Sequence, residues 1–188
     1  MHPPCSAGGA GSLVNYHLLR RDMSPTSTAY LFNDSGPISL ALQGSDAASL
    51  PLHTKIHQAW GLDRVIDYIG QDLPNFSVID MGSINSALAE GWPDDRFAHV
   101  HFQKDLNYSA YSYERFYDYI ESETDELTKW GYIHALWQQD TDNLAALLDQ
   151  YDNFAYYFPQ FRDLNESHCA SIIEFDAADI QEEAMALC

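Results

Sequence analysis

Apolar positions along this chain follow strand-like spacing early and helix-like spacing later. Thr28–Phe32 and Ile38–Leu42 are short apolar runs flanking Asn33-Asp-Ser-Gly-Pro37. Turn-forming residues between two such runs predict a β-hairpin. Leu62, Val65, Ile66, Ile69 and Leu73 recur at helical spacing, predicting a helix over 62–72 that ends before Pro74. Phe76–Asp80 is a short strand candidate. Ser83 is placed to cap a brief helix carrying Ile84, Ala87 and Leu88, with Gly91 as its stop. Phe97–Phe102 alternates and reads as a strand.

From Ser112 the period is helical. Tyr113, Phe116, Tyr117 and Ile120 share one face; Leu127, Trp130, His134 and Trp137 form a second stripe after a cap at Thr124. A third stripe, Leu144, Leu147, Leu148, Tyr151 and Ala155, follows a cap at Asp140 or Thr141 and stops at Pro159. Ser171–Phe175 reads as a last strand, and Asp176 as the cap of a final helix carrying Ile180, Ala184 and Leu187. Strands first and helices later predict an α+β fold: a small N-terminal mixed or antiparallel sheet and a helix-rich acidic C-terminal half. Residues 1–27, rich in Gly, Pro, Ser and Thr, read as a flexible leader, and 28–188 as a single domain. Met23 is a candidate natural start, which would make what precedes it an extension.

Composition supports a packed core, with 46% hydrophobic and 13% aromatic residues in 188. No apolar run is long enough to predict a membrane span. The first residues lack the basic start and apolar stretch of a secretory signal, so a cytoplasmic location is expected. Cys5, Cys169 and Cys188 are an odd, scattered set without C-x-x-C spacing. Neither a disulfide framework nor a zinc knuckle is expected from them, and Cys169 reads as a packing residue. Without a secretion signal, the Asn-x-Ser triplets at Asn33, Asn75, Asn107 and Asn165 read as chance.

Charge changes the picture most. The net charge is −19, and from Asp105 onward 18 acids face 3 bases. Like-charge repulsion argues against direct binding to nucleic acid or an anionic membrane, and permits a basic partner. Nine of the 12 tyrosines lie after residue 105, interleaved with these acids. Aromatics beside charge are the material of interfaces, and carboxylates on rigid helices can imitate a phosphate lattice. The leading expectation is therefore a non-enzymatic binding or inhibitor protein engaging a basic partner, including a nucleic-acid-binding one, as a nucleic-acid mimic or immunity-type protein. Its expected contact residues are Tyr111, Glu114, Asp118, Tyr119, Glu121, Glu123, Asp125, Glu126, Asp149 and Asp152.

Two alternatives stand beside it. His99 and His101, two apart on a strand, project from one face and suit a metal, with Asp80, His134 or His168 as third ligand and Asp94 or Asp95 behind them. That pair would make a metal-dependent enzyme. The other alternative is an assembly component that self-associates through its aromatics. His53 and His57 have i, i+4 spacing, but Thr54 stands where a zinc protease needs Glu. No G-x-x-x-x-G-K-[ST], G-x-G-x-x-G or G-x-S-x-G sequence occurs, so no nucleotide site or hydrolase nucleophile is predicted, and no cofactor is expected.

Overall fold

A computed structural model describes residues 5–171. In chain order the elements are α1 (Ala7–Met23), β1 (Tyr30–Asp34), α2 (Leu50–Trp60), α3 (Asp63–Gly70), α4 (Ile84–Gly91), β2 (Arg96–Val100), α5 (Leu106–Tyr113), α6 (Asp118–Glu121), α7 (Glu126–Leu148) and β3 (Phe154–Tyr157). Short 3₁₀ turns lie at Met81–Ser83 and Leu164–Ser167.

The three strands form one sheet in the order β1-β2-β3, and both pairings are parallel. Leu31 lies opposite Phe97, and Phe97 opposite Phe154. Cys5 bridges to Asp34 in the same parallel sense, so the chain entering α1 lies along the free side of β1. Parallel neighbours need long crossovers, and helices supply all of them here.

This overturns the expected mixed or antiparallel N-terminal sheet. The Asn33–Pro37 segment does not close a hairpin. Asn33 and Asp34 finish β1, Ser35 turns at φ 52°, and Ile38–Leu42 runs on outside any strand. Phe76–Asp80 is likewise no strand beyond an isolated bridge between Ser77 and Asp80. β1 instead finds its partner 60-odd residues later in β2, a pairing that turn chemistry cannot announce.

The segment expected as a flexible leader contains α1. Leu13 is fully buried, and Tyr16 packs edge-on against Phe97 with ring centres 5.1 Å apart. Polar residues fasten the helix's far end: the Tyr16 hydroxyl donates to Asp95 at 2.9 Å, and Arg20 pairs with the same carboxylate at 2.7 Å. Burial first, then the contact with Asp95, pushes the Tyr16 hydroxyl's pKa well up. Leu13, Leu31, Ile66, Ile69, Leu73, Ile84, Leu88 and Phe97 form the main core between α1, the sheet, α3 and α4. Helices α3 and α4 fall where the apolar period places them, although Val65 faces outward.

A second cluster, Tyr113, Ile120, Ile133 and Trp137 with Ala48, joins α5, α6 and α7. Two predicted helices merge into α7, capped by Asp125 rather than Thr124. Asp140 and Thr141 resemble a cap but lie inside the helix. The Asp140 carboxylate turns inward to accept from the Tyr113 hydroxyl at 2.9 Å, and burial raises its pKa. Ala155, assigned to the third helical stripe, belongs to β3. Asn153 breaks the helical path by donating to the carbonyls of Ala89 and Trp92. The predicted last strand and final helix, beyond Ser171, lie outside the described residues.

Candidate active site at the C-terminal ends of the strands

The parallel strands all end toward the same side, and the loops there hold a cluster of polar residues that includes buried Asp34, Ser35, Asp105, Ser167 and His168. Beside them lies half-buried Ser6, where the chain turns from the Cys5 bridge directly into α1. Ser6 has φ 57° and ψ −123°, a backbone conformation that L-residues avoid. Its amide donates to the Asp34 carbonyl at 2.8 Å, and its own carbonyl accepts from Ala10 at 3.1 Å. Two glycines make this tight turn possible. A Cβ on Gly9 would sit 2.5 Å from the Asp34 carbonyl oxygen, and one on Gly36 would sit 2.3 Å from that of Ser6. The Ser-Ala-Gly-Gly sequence is thus what lets the start of a 17-residue helix press against the end of β1. Ala7 supplies the first amide of that helix, which has no intrahelical acceptor and lies at the positive end of the helix dipole.

Asp105, fully buried, caps α5 after β2. Its Oδ1 accepts from the amides of Asn107 at 3.0 Å and Tyr108 at 2.8 Å. Its Oδ2 lies 2.7 Å from Nδ1 of His168, also buried. An ionised carboxylate there can only accept, so Nδ1 is the nitrogen that donates to it. Tyr108 stacks along the imidazole with ring centres 6.5 Å apart.

Cys5 and Cys169 are joined by a disulfide, with Cα atoms 5.6 Å apart. This corrects the expectation that Cys169 merely packs. The bond ties the residue before Ser6 to the residue after His168. Both sulfurs and a His168 ring nitrogen lie within 4.8 Å of one another, the one grouping of potential metal ligands found among the described residues. Two of its three members are spent in the disulfide.

Backbone strain gathers here as well. Among the described residues, Ser6, Ser24, Ser35, Glu166, Ser167 and Cys169 are the non-glycine residues with positive φ. Ser6, Glu166, Ser167 and Cys169 belong to the segments that carry Ser6 and His168, Ser35 follows the end of β1 beside them, and Ser24 is the α1 C-cap. Such conformations cost about 1–3 kcal/mol each and persist where the surroundings over-determine them, most often at functional sites.

Apart from His168, the residues singled out from the sequence lie elsewhere. His99 and His101 are buried, but their rings serve different neighbours. His99 Nε2 meets Asn85 Oδ1 at 2.9 Å, while His101 Nε2 meets Thr141 Oγ1 at 3.3 Å. Burial lowers their pKa values to about 4 and about 3. Of the other ligands considered, Asp80 caps the 3₁₀ turn, Asp95 holds Arg20, His134 lies against Trp130, and His168 faces Asp105. His53 is buried, with its pKa lowered to about 4, and His57 pairs with Asp63 at 3.1 Å.

The acidic set divides between two places. Tyr111, Glu114, Asp118, Tyr119, Glu121, Glu123, Asp125 and Glu126 gather around α5, α6 and the start of α7. Asp149 and Asp152 lie past the other end of α7, which at 23 residues is about 34 Å long. Many have local partners: Glu114 pairs with Lys129 at 3.0 Å, Glu123 accepts from the amides of Thr124 and Asp125, and Asp149 accepts from the Tyr156 hydroxyl.

The sequence pattern does not single out Ser6 or Asp105, and it offers His168 only as a third metal ligand for His99 and His101. A motif search asking for glycine two residues before the serine fails because Pro4 stands there. The usable signal was Ser6-Ala-Gly-Gly9 leading into an apolar-periodic run with Leu13 and Tyr16. Comparison with protein-family models, with curated proteins and with solved structures finds no match.

Proposed function

We propose that the protein is a serine hydrolase acting on carboxylic esters, with Ser6 as nucleophile, His168 as general base and Asp105 as its orienting acid. The single observation that carries the reading is the buried 2.7 Å contact between Asp105 and His168 Nδ1, tethered through the disulfide to the strained serine that opens α1. The chain order Ser6…Asp105…His168, with Ser6 after the parallel Cys5 bridge, Asp105 after β2 and His168 after β3, is the order used by α/β-hydrolases. That likeness is one of arrangement; the roles follow from the geometry.

In the proposed reaction Ser6 Oγ attacks the ester carbonyl carbon and its proton passes to His168 Nε2. The tetrahedral oxyanion takes the Ala7 amide, at the start of α1, as one of its donors. Collapse breaks the bond to the alkoxy oxygen, which leaves with the proton from His168. Water then attacks the acyl-serine with His168 again as base, releasing the acid and restoring Ser6. Asp105 keeps the imidazole in its productive tautomer and stabilises the imidazolium as it forms. A disulfide beside the nucleophile suits an oxidising compartment, in place of the cytoplasmic location expected from the sequence.

The test is hydrolysis of short p-nitrophenyl esters by the wild type and by Ser6→Ala. Activity lost in the variant, with an unchanged unfolding midpoint, is the expected result. Equal activity in both proteins would overturn the reading.

A second proposal concerns the acidic helices. Tyr111 and Tyr119 are about half exposed beside Glu114, Asp118 and Glu121, which offers a basic protein aromatic and anionic contacts together. Capture of such a partner should weaken steeply with salt, and salt-insensitive capture would contradict the idea.

A further inference from the structure

We infer that Asp34 is the positioning residue that sets His168 against Ser6, an inference that rests on the hydrolase reading. Asp34 is the last residue of β1 and is fully buried. It stands between the two halves of the site and bonds to both. Its main-chain carbonyl accepts from the Ser6 amide at 2.8 Å, fixing the nucleophile's turn. Its side chain faces the other way, into the loop that carries the histidine. Oδ1 accepts from the Ala170 amide at 2.8 Å and from the Ser35 hydroxyl at 2.9 Å. Oδ2 accepts from the Ser171 amide at 2.8 Å and from the Ser171 hydroxyl. The Ser35 hydroxyl in turn accepts from the Cys169 amide at 3.0 Å.

The three amides that follow His168 therefore all end on Asp34 or on the hydroxyl that Asp34 holds. This loop runs through positive φ at Glu166, Ser167 and Cys169. From within, the Ser167 hydroxyl bonds the Arg162 amide and carbonyl, and the Arg162 guanidinium donates to the Cys169 carbonyl at 3.1 Å. Asp34 adds the hold that ties the loop to β1 and so to Ser6. A buried carboxylate collecting main-chain N–H groups is a strong anchor, because leaving any of these partners unpaired in a dry site is costly. Asp34 is not placed as the acid of the triad. Its oxygens are occupied by main-chain amides and hydroxyls, whereas Asp105 meets the imidazole itself. Its work is geometric: it fixes where the imidazole stands relative to a serine positioned by its own carbonyl. The disulfide links the same two segments covalently, but at one point beside each residue, and leaves the loop beyond Cys169 to Asp34.

Asp34→Asn keeps size and one acceptor oxygen but sets an NH₂ group against one pair of these donors. A displacement on the order of 1 Å at a reacting group can cost about 10²-fold in rate. The experiment is time-resolved labelling by an alkyl fluorophosphonate, in which the Ser6 oxygen bonds to phosphorus, fluoride leaves and His168 takes the proton. Wild type, Asp34→Asn and Ser35→Ala are compared for both rate constant and final stoichiometry. The expected result is full final labelling of every variant, with the Asp34→Asn rate constant lowered by about 10–10²-fold and Ser35→Ala affected less. A purely structural role would reduce the labelled fraction and leave the rate of the competent molecules unchanged. That outcome, or an unchanged rate, overturns the inference while wild-type labelling at Ser6 leaves the hydrolase reading standing. Wild type that takes no label at Ser6 overturns the hydrolase reading, and this inference with it.

Discussion

The strand ends and the acidic helices hold the same kinds of side chain and use them in opposite ways. At the strand ends Asp34 and Asp105 are fully buried, and beside local partners their oxygens meet His168, Ala170 and Ser171 from far along the chain. Around α5–α7 the acids are mostly exposed, and their partners lie a few residues away or on the adjoining helix turn. A surface carboxylate contributes little to any one property, because water screens it and would solvate it equally well unpaired. A buried carboxylate is costly unless its partners are all in place, so its presence marks a site that the fold is built around. Counting charge along the sequence points to the acidic helices; counting satisfied buried charge points to the strand ends.

The sharpest way to break this contrast is substitution at the strand ends. Ser6→Ala and His168→Ala should each lower ester hydrolysis by about 10⁴-fold or more, and Asp105→Asn by about 10³–10⁴-fold. Initial rates on a p-nitrophenyl ester, with unfolding midpoints measured in parallel, provide the check. A loss under tenfold would remove Asp105 from the proposed role.

The disulfide comes next. It joins positions 164 residues apart, and such cross-links typically contribute about 2–4 kcal/mol. Urea unfolding with and without reductant should differ by roughly that amount, and hydrolysis should fall on reduction because the links to Ser6 and His168 loosen together. Identical curves would show that the hydrogen bonds of Asp34, Arg162 and Ser167 hold the loops without the disulfide.

Smaller, and spread over pH, is the effect of the buried imidazoles. His99 stays neutral in the folded protein down to about pH 4 and His101 down to about pH 3, because burial disfavours the charged form. In the unfolded chain each takes a proton near pH 6.5. Between those values the unfolded state binds more protons, so stability falls as pH falls, by up to about 1.4 kcal/mol per pH unit for each histidine. Urea midpoints at pH 7, 6 and 5 should decline with increasing steepness, and His99→Gln should flatten the slope. A flat profile would mean that these rings are not buried as described.

The smallest effect belongs to the acidic helices. Reversing Asp118, Glu121 and Glu126 to Lys should change hydrolysis by less than about twofold and stability by no more than about 0.5 kcal/mol per site. A large loss of hydrolysis would tie the two regions together and end the contrast.

What the sequence made legible follows the range of the interactions involved. Helices α3 and α4 and strand β2 were readable because their apolar periods and end signals are local. β1 was located, but its partner was assigned to the neighbouring run, since parallel pairing over more than 60 residues leaves no turn to read. α1 was lost because Gly8, Gly9 and Gly11 look like a flexible tail, when Gly9 serves close contact with β1. α7 was cut in two by Asp140, whose carboxylate answers Tyr113 across the core rather than a helix end. The candidate site was almost wholly hidden. Ser6, Asp105 and His168 are separated by 99 and 63 residues, and only the parallel sheet brings their loops to one side. Beside the Ser6-Ala-Gly-Gly9 run, the cysteines carried a clue, since Cys5 adjoins Ser6 and Cys169 adjoins His168.

The most direct test of the central claim is peptide mapping of the oxidised wild-type protein after treatment with an alkyl fluorophosphonate, alongside His168→Ala. The account predicts one adduct per chain, on the peptide containing Ser6, and its absence from the His168→Ala protein on the same timescale. An adduct at another serine, or equal labelling of Ser6 with and without His168, would contradict it.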